Sequence, residues 1–152
     1  MMLRLSKKLM FAIEAVLDIA YNAGSEPVQS REITRRQGIP RRYLEQVLQQ
    51  LVRAGILSGV RGPRGGYRLA RERRRISIGD ITRVVRSMES GEDPIIDPAG
   101  SELGHKVVRP LWLELQGEVM SRLDGVTIED LCLRAHKAEI RSETFQKLDY
   151  II

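Results

Sequence analysis

Three features of this 152-residue chain predict a mainly α fold, a winged helix-turn-helix with a two-stranded wing and a long C-terminal dimerisation helix. Two amphipathic segments meet at the turn Gly38-Ile39-Pro40, the glycine-rich hairpin "RGPRGG" follows them, and a long stretch with an apolar stripe runs from Ser101 to Asp124. The apolar content, 42%, suffices for one core. No apolar run approaches the ~18 residues of a membrane span. Glu14 and Asp18 interrupt the apolar N-terminal stretch, so neither a span nor a signal peptide is expected, and the expected location is cytoplasmic.

Taken in order, Ser6 is placed to cap a helix ending near Tyr21, with Leu9, Ile13, Val16, Leu17 and Ala20 on its inward stripe. Ser30 is expected to cap the short helix "REITRRQ", which Gly38 ends by adopting the left-handed conformation. Pro40 restarts the chain for "RRYLEQVLQQLVRAG", where Leu44, Val47, Leu48 and Leu51 face inward and Gly55 terminates. The outward face then carries Arg41, Arg42, Glu45, Gln46 and Gln49. Arginine and glutamine pair bidentately with guanine and adenine edges, and the first turns of such a helix are what enters a major groove.

"ILSGV" and "YRLA" read as the strands of the wing, with Arg61 and Arg64 at its tip. The glycines of "RGPRGG" are expected to supply positive backbone dihedrals, Pro63 to stiffen the loop, and the arginines to suit a narrow minor groove. Ser77 and Asp80 form a capping box for "IGDITRVVRSME". A proline-broken loop follows, then the long helix, whose first turns are disturbed by Gly104 and Pro110. Its apolar surface is too wide for one small winged domain to cover, which predicts a partner helix from a second subunit. Thr127 and Asp130 cap a final helix, "IEDLCLRAHKA". The expected division is a DNA-binding unit over 1–88, a linker over 89–100, the dimerisation and final helices over 101–141, and a tail over 142–152.

Charge divides the chain as well. Residues 1–90 carry 18 Lys and Arg against 8 Asp and Glu, whereas residues 91–152 carry 7 against 12. A basic half around a hairpin is the electrostatic footprint of a nucleic-acid reader, which a pure protein-interaction subunit would not need. An enzyme is not expected, since no nucleophile–base pair, metal-ligand spacing or phosphate loop is found; Gly62, Gly65 and Gly66 lie in a strand turn and not before a helix. The single cysteine, Cys132, forms no metal pattern with His105 or His136, so no metal is expected.

The segments "YLEQVLQQLVRAGIL", "VRGPRGGYRLA" and "ISIGDI" together resemble the Rrf-type (IscR/NsrR/CymR-like) bacterial winged-helix transcriptional regulators, over roughly residues 1–131. The resemblance implies a homodimer with a long crossing helix, bound to a palindromic double-stranded operator through Arg42, Tyr43, Glu45 and Gln46 and through Arg61 of the wing. Cluster-binding members of that family carry cysteines in the loop before the long helix, and this loop, "SGEDPIIDPAGSELGHKVV", has none. No iron–sulfur cofactor is therefore expected, and the chain is similar in kind to the family's cysteine-metabolism regulators. Its last residues, "KLDYII", are similar to the C-terminal end by which serine acetyltransferases enter O-acetylserine sulfhydrylase, the cysteine synthase. That likeness implies a partner-binding anchor at Asp149, Tyr150, Ile151 and Ile152, with packing of these residues on the dimer as the alternative. The function expected is a repressor of sulfur or cysteine metabolism tuned by cysteine synthase. The alternatives are a cluster-free regulator of another signal and an interaction subunit without an operator.

Overall fold

The computed structural model describes residues 5–89 and 95–143. Helix α1 (Lys7–Tyr21) starts where the Ser6 hydroxyl accepts from the Leu9 N–H at 3.1 Å. Its buried face is Ala12, Ala15, Val16, Ile19 and Ala20, while the larger Leu9, Ile13 and Leu17, expected inside, are only half-buried. The helix is apolar on more than one side, so periodicity left its rotation open. Small alanines occupy the face where the other helices approach closely.

Helix α2 (Ser30–Gln37) departs from expectation at its start, where the capping position is Gln29 and Ser30 is already helical. The Gln29 N–H donates to Oε2 of Glu32 at 3.0 Å, so the reciprocal half of a capping box closes the end. Gly38 (φ 66°) ends the helix in the left-handed region, and Pro40 precedes α3 (Arg41–Arg53). Leu44, Val47, Leu48 and Leu51 of α3 are all buried.

From α3 the chain turns at Gly55, and the N–H of Ile56 bonds the Leu51 carbonyl at 3.0 Å, which ties the wing to the end of the helix. Strands β1 (Leu57–Val60) and β2 (Gly66–Leu69) pair antiparallel in the register Leu57↔Leu69 to Val60↔Gly66. Val28, before α2, adds a bridge to Tyr67 with bonds of 3.0 and 2.8 Å, so the wing is anchored on its other edge too. The glycines at the turn act differently from expectation. Gly62 has a positive φ of 108°, but Gly65 and Gly66 are required by close approach: a Cβ would lie 2.2 Å from the Val60 carbonyl oxygen and 2.4 Å from that of Val28.

A 3-10 turn (Arg73–Arg75) leads to α4 (Ile78–Met88), whose Ser77–Asp80 capping box forms as expected. The next long helix runs from a wide π-type stretch at Gly104–Val108 into α5 (Arg109–Asp124). Pro110 explains the wide turn. Its ring would press on the carbonyl four residues back in a regular helix, and the Arg109 N–H instead reaches the Gly104 carbonyl. Helix α6 (Ile128–Lys137), capped by Thr127 and Asp130, returns Ile128 and Cys132 to the core built from α1, α2, α3, β1 and α4. Among the described residues the fold is thus mainly helical with a single two-stranded sheet.

Candidate nucleic-acid interface

Burial of the Leu44, Val47, Leu48 and Leu51 stripe leaves Arg41, Arg42, Glu45, Gln46 and Gln49 exposed on the opposite side of α3. Arg41 Nε donates to Glu45 Oε1 at 3.1 Å, an exposed pair one turn apart that contributes little to stability and lays Arg41 along the helix. Tyr43 is turned the other way. It is half-buried, its ring lies 6.1 Å from that of Phe11, and its hydroxyl donates to the Lys8 carbonyl at 2.6 Å. Burial, with a smaller contribution from Glu89, pushes the phenol up to about 12. Tyr43 therefore braces α3 against α1.

At the wing tip Arg61, Pro63 and Arg64 are exposed, with Arg64 3.7 Å from Glu26 in a loose surface pair. The other arginines of this stretch serve the fold. Arg68 donates to the carbonyls of Ser25 (2.6 Å) and Gly24 (3.4 Å), and Arg71 to those of Gly55 and Arg75 (3.2 Å each), so the hairpin is pinned at its base while its tip stays free to reach a ligand. Electrostatically, the tip guanidiniums and the first turn of α3 offer cations and donor forks to an anionic, edge-bearing polymer.

One constellation escaped the sequence reading. Asp18, 2% exposed, accepts from Arg36 Nε (2.9 Å) and Nη2 (2.8 Å) and from Gln37 Nε2 (2.8 Å). The hydrogen bond to Asp18 raises the Arg36 guanidinium above its already high value. This buried pair locks the end of α2, immediately before the Gly38 turn, to the scaffold helix. An acidic residue on the buried face of α1 was the available signal, but its partner lies in another segment.

The loop before α5 gives no support for a thiolate-held metal group. Arg109 donates to the carbonyls of Asp97 and Ala99 (2.6 Å to the latter) and lies 2.9 Å from Nδ1 of His105, so a guanidinium ties this loop to the helix. The loop contains no cysteine. Cys132 is buried in α6, and burial pushes its thiol up, away from the thiolate that a metal would need. Among the described residues no three His, Cys, Asp or Glu side chains gather as a metal site. The donor set does not fit an iron–sulfur cluster. Asp149, Tyr150, Ile151 and Ile152, singled out as a partner anchor, lie outside the described residues.

A polar helix presented behind a tight turn, with an arginine-tipped hairpin rooted at its end, defines a winged-helix protein of the DNA-binding class. The chain belongs to the Rrf2 family, whose model, described as an iron-dependent transcriptional regulator, matches residues 5–134. It is 34% identical over 140 residues to the HTH-type transcriptional regulator IscR of Vibrio cholerae, covering 91% of this chain and 80% of that one. Among solved structures, IscR of T. potens superposes with a TM-score of 0.72 at 32% identity, over 91% of this chain and 93% of that one. CymR of B. subtilis, described as the global cysteine regulator, superposes with a TM-score of 0.67 at 30% identity, over 86% and 97%. The chain is a DNA-binding transcriptional regulator and not an enzyme.

Proposed function

We propose that the protein is a homodimeric repressor of sulfur or cysteine metabolism that binds a palindromic operator and is modulated by cysteine synthase. In this reading Arg42, Glu45 and Gln46, with Arg41 beside them, read base edges in the major groove. Tyr43 braces that helix, and Arg61 and Arg64 enter the minor groove. The observation that carries the DNA reading is the exposure of the whole polar face of α3 next to a wing fixed at its base. Dimerisation is supported by the exposure on the long helix of Leu103 (74%), Val107 (57%), Leu111 (53%) and Leu115 (40%), which water would otherwise face. The cysteine role is supported by a cysteine-free loop held by Arg109 and by the likeness to the B. subtilis cysteine regulator.

Mapping the chromosomal fragments retained by the full chain tests the reading. Fragments upstream of cysteine-synthesis and sulfur-assimilation genes are expected; retention only of fragments from unrelated genes would overturn the sulfur role and leave the DNA role standing. For the tail, calorimetric titration of cysteine synthase is expected to show binding by the intact chain, and loss of binding when Ile152 is deleted. O-acetylserine, which would compete for the carboxylate site, is expected to weaken the complex. Unchanged binding after the deletion would contradict the anchor.

A further inference from the structure

The chain leaving α6 turns back onto the helix-turn-helix. Glu139 adopts a left-handed conformation (φ 62°), and the N–H of Ile140 bonds the Ala135 carbonyl at 3.2 Å. The residues that follow lie against the end of α1. There the Tyr21 hydroxyl donates to the Ile140 carbonyl, and the N–H of Glu143 donates to Asn22 Oδ1 at 2.8 Å. Glu143 then reaches α2: its Oε1 is 3.4 Å from Nη1 of Arg36 and 3.5 Å from Nη2 of Arg35. Arg36 is the guanidinium already forked onto Asp18, and its side chain is only 15% exposed.

One cation thus joins a carboxylate from the scaffold helix to a carboxylate from the far end of the described chain. The junction sits on the last turn of α2, where Gln37 also holds Asp18 and where Gly38 turns the chain into α3. A surface pair would matter little here, but Arg36 is mostly withdrawn from water, so loss of a partner is transmitted to its position.

We propose that the segment Ile140–Glu143 positions the recognition helix, with Glu143 acting through Arg36 on the end of α2 to set how α3 meets DNA. The inference rests on the reading of α3 as the base-contacting helix. Positioning and plain electrostatics have different consequences for binding. A carboxylate that merely repelled phosphates would weaken all DNA alike, and its removal would tighten every duplex and steepen the salt dependence. A positioning residue acts on sequence reading and leaves non-specific binding as it was.

The test uses the full chain, a duplex selected from a random-sequence library by the wild-type protein, and an unselected duplex of the same length. Glu143→Gln is expected to weaken binding to the selected duplex about fivefold, at the low end of typical site-to-site coupling. Affinity for the unselected duplex and the salt slope are expected to stay as in wild type, and Glu143→Asp to restore most of the loss. Tyr21→Phe, which alters no charge, is expected to weaken selected-duplex binding in the same direction. Unchanged affinity of Glu143→Gln, or tighter binding to both duplexes with a steeper salt slope, would overturn the proposal. Should Glu143→Gln fail to fold by circular dichroism, Tyr21→Phe decides, and its unchanged affinity overturns the proposal. If the wild type selects no duplex at all, the DNA reading falls and takes this one with it; if the wild type selects normally while the variants match it, only the positioning role is lost.

Discussion

Helices α3 and α5 both leave a face uncovered, and the two faces are chemically opposite. On α3 the buried stripe is complete and the open side holds arginine, glutamine and glutamate. No residue of α5 is buried, and Leu111, Trp112, Leu113, Leu115 and Val119 are left in contact with water. A polar open face costs nothing in water and awaits a polar partner. An apolar one of this extent is unfavourable until it is covered, because each exposed leucine forgoes about 1.5–3 kcal/mol of burial. The contrast supports the different work proposed for the two helices, with α3 meeting DNA and α5 meeting a second copy of the chain.

Breaking the apolar side should have the largest effect. Leu111→Glu together with Leu115→Glu is expected to yield a monomer by analytical ultracentrifugation. Loss of the second half-site contact should weaken operator binding by roughly 100-fold or more. A dimer that persists would mean that α5 is not the shared surface.

Next in size is the buried pair that holds α2. Arg36→Met would leave the Asp18 carboxylate buried with Gln37 as its remaining side-chain donor, and a loss of about 3 kcal/mol in urea-induced unfolding is expected. Asp18→Asn, which keeps the shape and removes the charge, is expected to cost less. Equal stability of wild type and Arg36→Met would show the pair to be dispensable.

A smaller effect sharpens the account of how α3 is seated. Tyr43 is raised from its ordinary value of 10 to about 12, so its phenol stays protonated in the folded chain when it would ionise in the unfolded one. Its contribution is complete below pH 10 and is lost as pH rises through about 12, above which both states are deprotonated. Ultraviolet titration of phenolate should find one tyrosine ionising late, and Tyr43→Phe should remove that late step. A late step that persists in Tyr43→Phe would place the raised group elsewhere.

Much of the fold was legible because its signals are local. Ser6, the Ser77–Asp80 pair, the Thr127–Asp130 pair and Gly38 act within one turn of themselves, and each stands where sequence placed it. What was not legible depends on distant segments. The rotation of α1 is set by which helices approach its alanines, and the Asp18–Arg36 pair joins residues from two helices. Gly65 and Gly66 are required by carbonyls of Val60 and Val28, contacts that no turn rule contains. For the candidate site, the exposed residues of α3 and the wing tip could be read from periodicity and turn chemistry. The inward ring of Tyr43 could not, since its position at the edge of the buried stripe fits either side. The Glu143 contact was equally hidden, because it appears only when α6 folds back on α1.

The division of labour between α3 and the wing is tested most directly by measuring affinity against salt concentration for Arg42→Ala and Arg61→Ala on a selected operator and on its single-base variants. Arg42→Ala should lose about 1–3 kcal/mol and relax the preference at one base position, while Arg61→Ala should weaken all sequences alike and reduce the salt slope by about one. Wild-type affinity and wild-type salt slope in both variants would contradict the assignment of α3 and the wing as the DNA-reading elements.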